Sequence, residues 1–296
     1  MMKTNKDKLV KIAVLGEIIH PGTTSAGYSV TWNGKAKVLV GGGGLKYNLR
    51  TGDPCYGFPG IGDDHVEPGV IIQGKERPDP TATGLANLAC IGNEAVVVAS
   101  EMGKGARGVY TGRHAPAKDF IWFNDEDIAK LVIGDKVQVK AWGVGLEIEG
   151  FEDVKTNKLS PILLENMQIE IKEGRLVVPV VAEIPGHLMG SGIGGPAVTE
   201  PTDYDIQTTC PGVVEEMGLK NLRLGDIVAL KDQACIYGRG RYRGALTIGV
   251  IVHGFSDLAG HGPGVDPILS SIDGKIQTRI DKNANIALYL GLRQKL

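Results

Sequence analysis

Alternation of apolar and polar positions recurs along this chain, while stretches with a helical period are few and short. Residues 9–19 show it first: Val10, Ile12 and Val14 alternate against Lys11 and Ala13, the two-residue period of a half-buried strand. Strands over 28–32 and 36–40 follow, joined by Asn33 and Gly34, a pair that supplies the positive φ of a tight hairpin. The glycines at 41–44 read as a hairpin tip before a strand over 45–49. With a strand rather than a helix behind it, that run lacks the context of a phosphate-cradling loop. Residues 77–84, holding Pro78 and Pro80, read as a surface loop before strands over 94–100 and 108–111.

A short pattern, Leu, any two residues, Gly, Asp, occurs at 49–53, 131–135 and 222–226. The second and third copies each follow a helical candidate and lead into similar strands, 134–140 and 225–231. One candidate, 125–130, is opened by Asn124; the other, 212–217, has Pro211 at its start and Gly218 at its end. A repeated helix, turn and strand implies two related halves, unless Gly then Asp is simply a good turn into a strand. Either way Asp53, Asp135 and Asp226 belong to turns. Polar residues 152–157 place the boundary near 155, giving an N-terminal half over 1–155 and a C-terminal half over 156–296.

In the second half Ser160 and Pro161 open a short helix through Met167, and Glu173 with Gly174 make a hairpin. Strands over 176–182 and 246–253, a last hairpin at Asp273 and Gly274, and a closing helix over 281–290 complete it. The expected class is α+β, predominantly β, with two barrel-like or sandwich-like halves and a few short helices.

Composition sharpens this. Aromatic residues are only 5%, so the core rests on Val, Ile and Leu, and 43 glycines imply many turns. A net charge of −2 offers no field for a phosphate backbone, so nucleic acid is not an expected partner. Four cysteines without a CxxC pair signal neither a disulfide framework nor a thiolate zinc site, which fits a reducing cytoplasm. Nowhere do eighteen apolar residues run together, and the lysine-rich start has no apolar region behind it, so neither a membrane span nor export is expected.

The candidate chemistry lies in loops rich in glycine, proline and acid. Asp63, Asp64, His65 and Glu67 offer carboxylate and imidazole within five residues, a mixture that zinc, manganese or iron accepts. The competing account is a solvated turn capped by its own carboxylates. His253 ends an apolar strand, and His261 follows between Gly260 and Gly262, with Asp257 between the two histidines. His187 precedes Gly190, Ser191, Gly192 and Gly194, whose amides can form an anion nest or oxyanion hole. Pro196 prevents a helix there, so no nucleotide cofactor is expected. Ser191 is a weaker candidate nucleophile, and Cys90, among apolar neighbours, reads as core. Arg239, Arg241 and Arg243 alternate, which would set three guanidiniums on one face to hold an anion, or mark a solvated edge strand.

Five stretches carry a resemblance: Asp64, His65, Val66, Glu67, Pro68, Gly69; residues 90–94; 140–143; 184–194; and 260–265. In these, and over nearly its whole length, the chain resembles a bacterial and archaeal family known only as a domain of unknown function (DUF4438). That implies one two-part, β-rich protein, and brings no assigned activity or functional residues with it. A fainter similarity around Pro185 and Gly186, and in the Gly, Asp turns, to acetamidase and formamidase enzymes points toward amide chemistry. The expectation is a metal-dependent hydrolase of a small amide or cyclic amide, with His65, His187, His253 and His261 gathered on one divalent ion. Asp64 or Glu67 would complete the shell and move the proton. The alternatives are a non-catalytic small-anion binder and a structural homo-oligomer.

Overall fold

The structure, a computed structural model, describes residues 2–22, 29–37, 42–58, 64–75, 83–115, 118–194 and 203–296. The expected strand positions 28 and 38–40, most of the 77–84 loop, and Gly41, Asp63 and Pro196 lie outside these residues.

The N-terminal half is built on strands β1 (Ile12–Ile18), β2 (Ser29–Val30), β3 (Ala36–Lys37), β4 (Val70–Gln73), β5 (Glu94–Ala99), β6 (Arg107–His114), β7 (Lys118–Trp122) and β8 (Lys136–Ala141). Six of them close a barrel in the order β1, β4, β7, β6, β5, β8, and β2 pairs with β3 as a separate hairpin. The alternation in β1 is real: Val14 and Ile18 are buried while Leu15 and Glu17 are exposed. Val10, before β1, and Ile12, its first residue, are exposed rather than on the buried face.

The expected strand over 45–49 does not form; only Leu45 bridges to Val70. The Arg50 guanidinium takes the backbone carbonyls of Lys46, Tyr47 and Leu49 instead, acceptors that a ladder would otherwise need.

The C-terminal half adds β9 (Lys155–Thr156), β10 (Glu170–Lys172), β11 (Arg175–Val180), β12 (Ala182–Ile184), β13 (Tyr204–Asp205), β14 (Ile227–Cys235), β15 (Arg239–His253), β16 (Gly264–Ser271) and β17 (Ile276–Ile280). One open sheet runs β12, β14, β15, β16, β13, with β9 also on β16; another runs β10, β11, β17. The hairpin at Glu173 and Gly174 forms, both residues with positive φ. The turn at Asp273 and Gly274 is not a hairpin, because β17 leaves β16 and pairs in parallel with β11. Helices are short: α1 (Gly84–Leu88), α2 (Asp125–Ile128), α3 (Pro161–Asn166), α4 (Pro211–Glu216) and α5 (Ile286–Tyr289). Asn124, Ser160 and Asn285 cap α2, α3 and α5 through their side chains. The closing helix is shorter than expected, since Asp281 accepts from the Asn283 amide and holds a turn before Asn285.

The three Gly, Asp turns are one structure. The glycines 52, 134 and 225 have φ of 99°, 97° and 89°. Asp53, Asp135 and Asp226 each accept the backbone amide three residues earlier, at 2.7, 2.9 and 2.7 Å.

Two hydrophobic clusters join the halves, one reaching from Val14 and Ile18 to Leu269 and Ile286, the other from Leu49 and Val66 to Ile251 and Val265. Strand β6 lies so close to β15 that a Cβ on Gly112 would sit 2.4 Å from Val252 Cγ1. Glycine there lets a barrel strand press on the open sheet, and each of these strands ends in a histidine. No helix among the described residues is long and apolar enough to cross a membrane.

Candidate metal centre

At the ends of β6 and β15 four imidazoles converge. His114 and His253 have ring centroids 4.2 Å apart, His65 and His253 5.0 Å, and His65 and His261 4.9 Å. Among the described residues two groups offer metal-ligating atoms within 4.8 Å of one another: His65, Asp205 and His261, and His114, Asp203 and His253.

Register explains the second group. Asp205 pairs with Gly264, which pairs in turn with His253, so the three form a row across β13, β16 and β15. A Cβ on Gly264 would lie 2.0 Å from His253 Nε2; glycine leaves the middle of that row empty, and the imidazole fills it. Asp203 is two residues before Asp205 and therefore shares its face. His253 Nε2 comes within 3.0 Å of Asp203 Oδ2 and 3.3 Å of Asp205 Oδ1.

In the first group His65 Nε2 lies 3.0 Å from His261 Nδ1 and 3.5 Å from Asp205 Oδ2, with His261 Nδ1 2.9 Å from that oxygen. An ion about 2.1 Å from each atom, the usual zinc-nitrogen or zinc-oxygen distance, would sit roughly 1 Å above their plane.

Three imidazoles are held from behind by their Nδ1. His65 Nδ1 is 2.9 Å from Asp64 Oδ1, His114 Nδ1 is 2.6 Å from Glu67 Oε1, and His253 Nδ1 is 3.1 Å from the Gly254 carbonyl. These partners accept protons, which fixes the Nδ1–H tautomer and frees Nε2 as a ligand. Asp64 in turn accepts from Ser256 Oγ at 2.6 Å. Glu67, fully buried, accepts from the Gly43 amide at 2.5 Å and from Lys118 at 3.0 Å, with Lys46 3.9 Å away.

Electrostatics follow this layout. Burial alone would raise the Asp205 carboxyl, but the imidazoles of His253, His261 and His65 beside it outweigh that and hold it well below its ordinary value. Asp203 is lowered in the same way, against burial, chiefly by His253. Burial and the nearby His253 charge lower His114 despite Glu67, which favours its neutral, ligating form. Burial would lower His65 and His253, yet their carboxylate partners raise both. Glu67 is held far below the usual range, against burial, by His114, Lys118 and Lys46. Lys46 itself is lowered by burial to about 8.

The structure therefore brings together His65, His253 and His261 from the sequence reading, and adds His114, Asp203 and Asp205. His187 is not among them. It is exposed on a single 3-10 turn, Gly186–Leu188, where its carbonyl accepts from Gln207. Asp64 and Glu67 stand behind imidazoles rather than in the ligand shell.

The glycine nest around Ser191 is occupied by the fold. The amides of Gly190, Ser191 and Gly194 already donate to the carbonyls of Asp205, Gly260 and Arg239. A Cβ on Gly190 would lie 2.0 Å from the Gly260 oxygen, and one on Gly192 2.7 Å from the Asp203 oxygen, so these glycines serve close backbone packing. Nor do the three arginines act together: Arg239 is buried and donates to the Gly192 carbonyl, whereas Arg241 and Arg243 are exposed. Asp257 pairs with Lys37 at 2.5 Å. Cys90 is buried, as expected.

No curated protein matches this chain. A solved structure, titled "Crystal structure of TM1086", matches with a TM-score of 0.90 and 44% identity over 97% of this chain and 99% of that one. Residues 28–165 match "Domain of unknown function (DUF4438), N-terminal" and residues 166–290 match "Domain of unknown function (DUF4438), C-terminal". With both parts accounted for, the chain belongs to the DUF4438 family.

Proposed function

We propose that the protein is a divalent-metal-dependent hydrolase acting on a small amide or cyclic amide. One observation carries the reading: three ligand atoms of His65, His261 and Asp205 meet within 3.5 Å at an edge where His261 is 32% exposed. An ion there keeps a coordination position open to solvent, the requirement for generating a hydroxide near neutral pH. Glu67 is an unsuitable proton carrier, since it is already tied to the Gly43 amide, His114 and Lys118. The amide class rests on the faint likeness to acetamidases and formamidases. A small-molecule ligand, a homo-oligomeric assembly and a cytoplasmic setting belong to the same reading.

The test is turnover. Protein purified without chelators is assayed for ammonia release or ring opening across linear and cyclic amides. Activity that disappears on chelation and returns with zinc, manganese or iron is expected. Metal-loaded protein that turns over none of the panel would overturn the reading.

A further inference from the structure

We infer that the two triads form one dinuclear metal centre, bridged by the Asp205 carboxylate. The inner ion is held by His114, Asp203, His253 and Asp205 Oδ1. The outer ion is held by His65, His261 and Asp205 Oδ2. The inference shares with the hydrolase reading the premise that the cluster binds metal, and does not need its premise of turnover.

The first support is the division of Asp205. Its Oδ2 faces His261 at 2.9 Å and His65 at 3.5 Å, while its Oδ1 faces His253 at 3.3 Å. A carboxylate with one oxygen toward each of two ligand sets is the arrangement that holds two ions about 3.5–4 Å apart.

The second support is a pair of orphaned atoms. Among the described residues, His253 Nε2 and Asp203 Oδ2 are buried and have no aligned hydrogen-bond partner, although they lie only 3.0 Å apart. An imidazolium and a carboxylate brought that close in a protein interior would normally align into a charge-assisted bond. Two lone pairs converging on a third point need no such alignment. The Nδ1 of His253 already has the Gly254 carbonyl as its acceptor, leaving Nε2 as the ligand atom.

The third support is the anchoring of both sets. Glu67 behind His114 and Asp64 behind His65 repeat one carboxylate–imidazole arrangement on the two sides of Asp205. Such partners orient a ligating histidine and raise its basicity. The supports differ in rigidity: His114, Asp205 and His253 end or occupy strands, whereas His65 and His261 sit outside them. The inner ion therefore binds first and exchanges slowly, and the outer ion exchanges readily.

The experiment strips the full-length chain with chelator and titrates it with manganese(II), counting bound ions by elemental analysis and recording electron paramagnetic resonance. Two ions per chain with an exchange-coupled spectrum are expected. His261→Ala should bind one ion, with an uncoupled spectrum, while the stripped protein still unfolds in one cooperative transition. Saturation of the wild type at one ion, or two ions without coupling, overturns the bridge. No bound ion overturns both the bridge and the hydrolase reading. Two coupled ions without amide turnover uphold the bridge and remove the hydrolase reading alone.

Discussion

The inner and outer triads share a carboxylate but not an environment. His253 and Asp203 are sealed, at 0% and 4% exposure, whereas His261 keeps 32% of its surface. The inner donors are placed by strand register and by the empty middle of the row at Gly264; the outer ones by loop segments pinned through single backbone bonds, such as His65 N to the Phe255 carbonyl at 2.7 Å. Similar donor chemistry on unequal supports would separate two tasks in a metal-loaded protein: retention of an ion where strands hold the donors, and access to it where loops do.

The largest effect should come from the sealed side. His253→Ala removes the group between Asp203 and Asp205 and leaves the buried Asp203 carboxylate without its imidazole partner, a loss of about 3–5 kcal/mol in the metal-free protein. Its metal affinity should also drop by more than the roughly 100-fold typical of outer partners. Thermal melting with and without metal checks both, and a variant as stable as wild type would break the comparison.

On the open side, His261→Ala should lower the melting temperature of the stripped chain by less than His253→Ala does, because His65 and His253 still face Asp205. Amide turnover should nevertheless be abolished. Retained activity would place the reacting ion on the sealed side.

A smaller effect tests the supports. Asp64→Asn keeps an acceptor for His65 Nδ1 but weakens the ligand, so outer-ion affinity should fall roughly 10–100-fold with inner affinity intact. Competitive titration with a metal indicator would measure this; equal weakening of both ions would mean that the triads are not separable.

The smallest expected effect on metal is none, at the Asp226 turn. Burial pushes this carboxyl up to about 6, in spite of bonds from Asn285 and the Arg223 amide. Because the folded chain holds that proton more tightly than the unfolded one, its contribution to stability is complete below about pH 4 and lost as pH rises through about 6. Asp226→Asn should flatten that part of the melting profile without touching metal content. A persisting slope would assign it to other groups.

Much of the fold was legible because it is local. The β1 alternation, the caps at Asn124 and Ser160 and the Gly, Asp turns are decided within a few residues. The parallel pairing of β11 with β17 was not, since it depends on partners about a hundred positions apart. The same divide runs through the site. His65, His253 and His261 announced themselves by their loops, but His187 has similar glycine-rich company for an unrelated reason, tight backbone packing at Gly190 and Gly260. His114, which ends β6 beside Ala115 and Pro116, has no acidic or glycine-rich company to mark it. Asp203 and Asp205 did offer a signal, two carboxylates one residue apart in a short extended segment, and so on one face. What they face is set by the Gly264 row, which nothing nearby in the chain encodes.

The tight seam at Gly112 and Val252 has a consequence for assembly. Each triad draws a histidine from the first half, His65 or His114, and its other members from the second. Neither half alone carries a whole coordination sphere, so a bound ion would act as a rivet between them. By thermodynamic reciprocity it tightens their union by as much as that union tightens its hold on the ion, and pulling the seam apart would open both polyhedra at once.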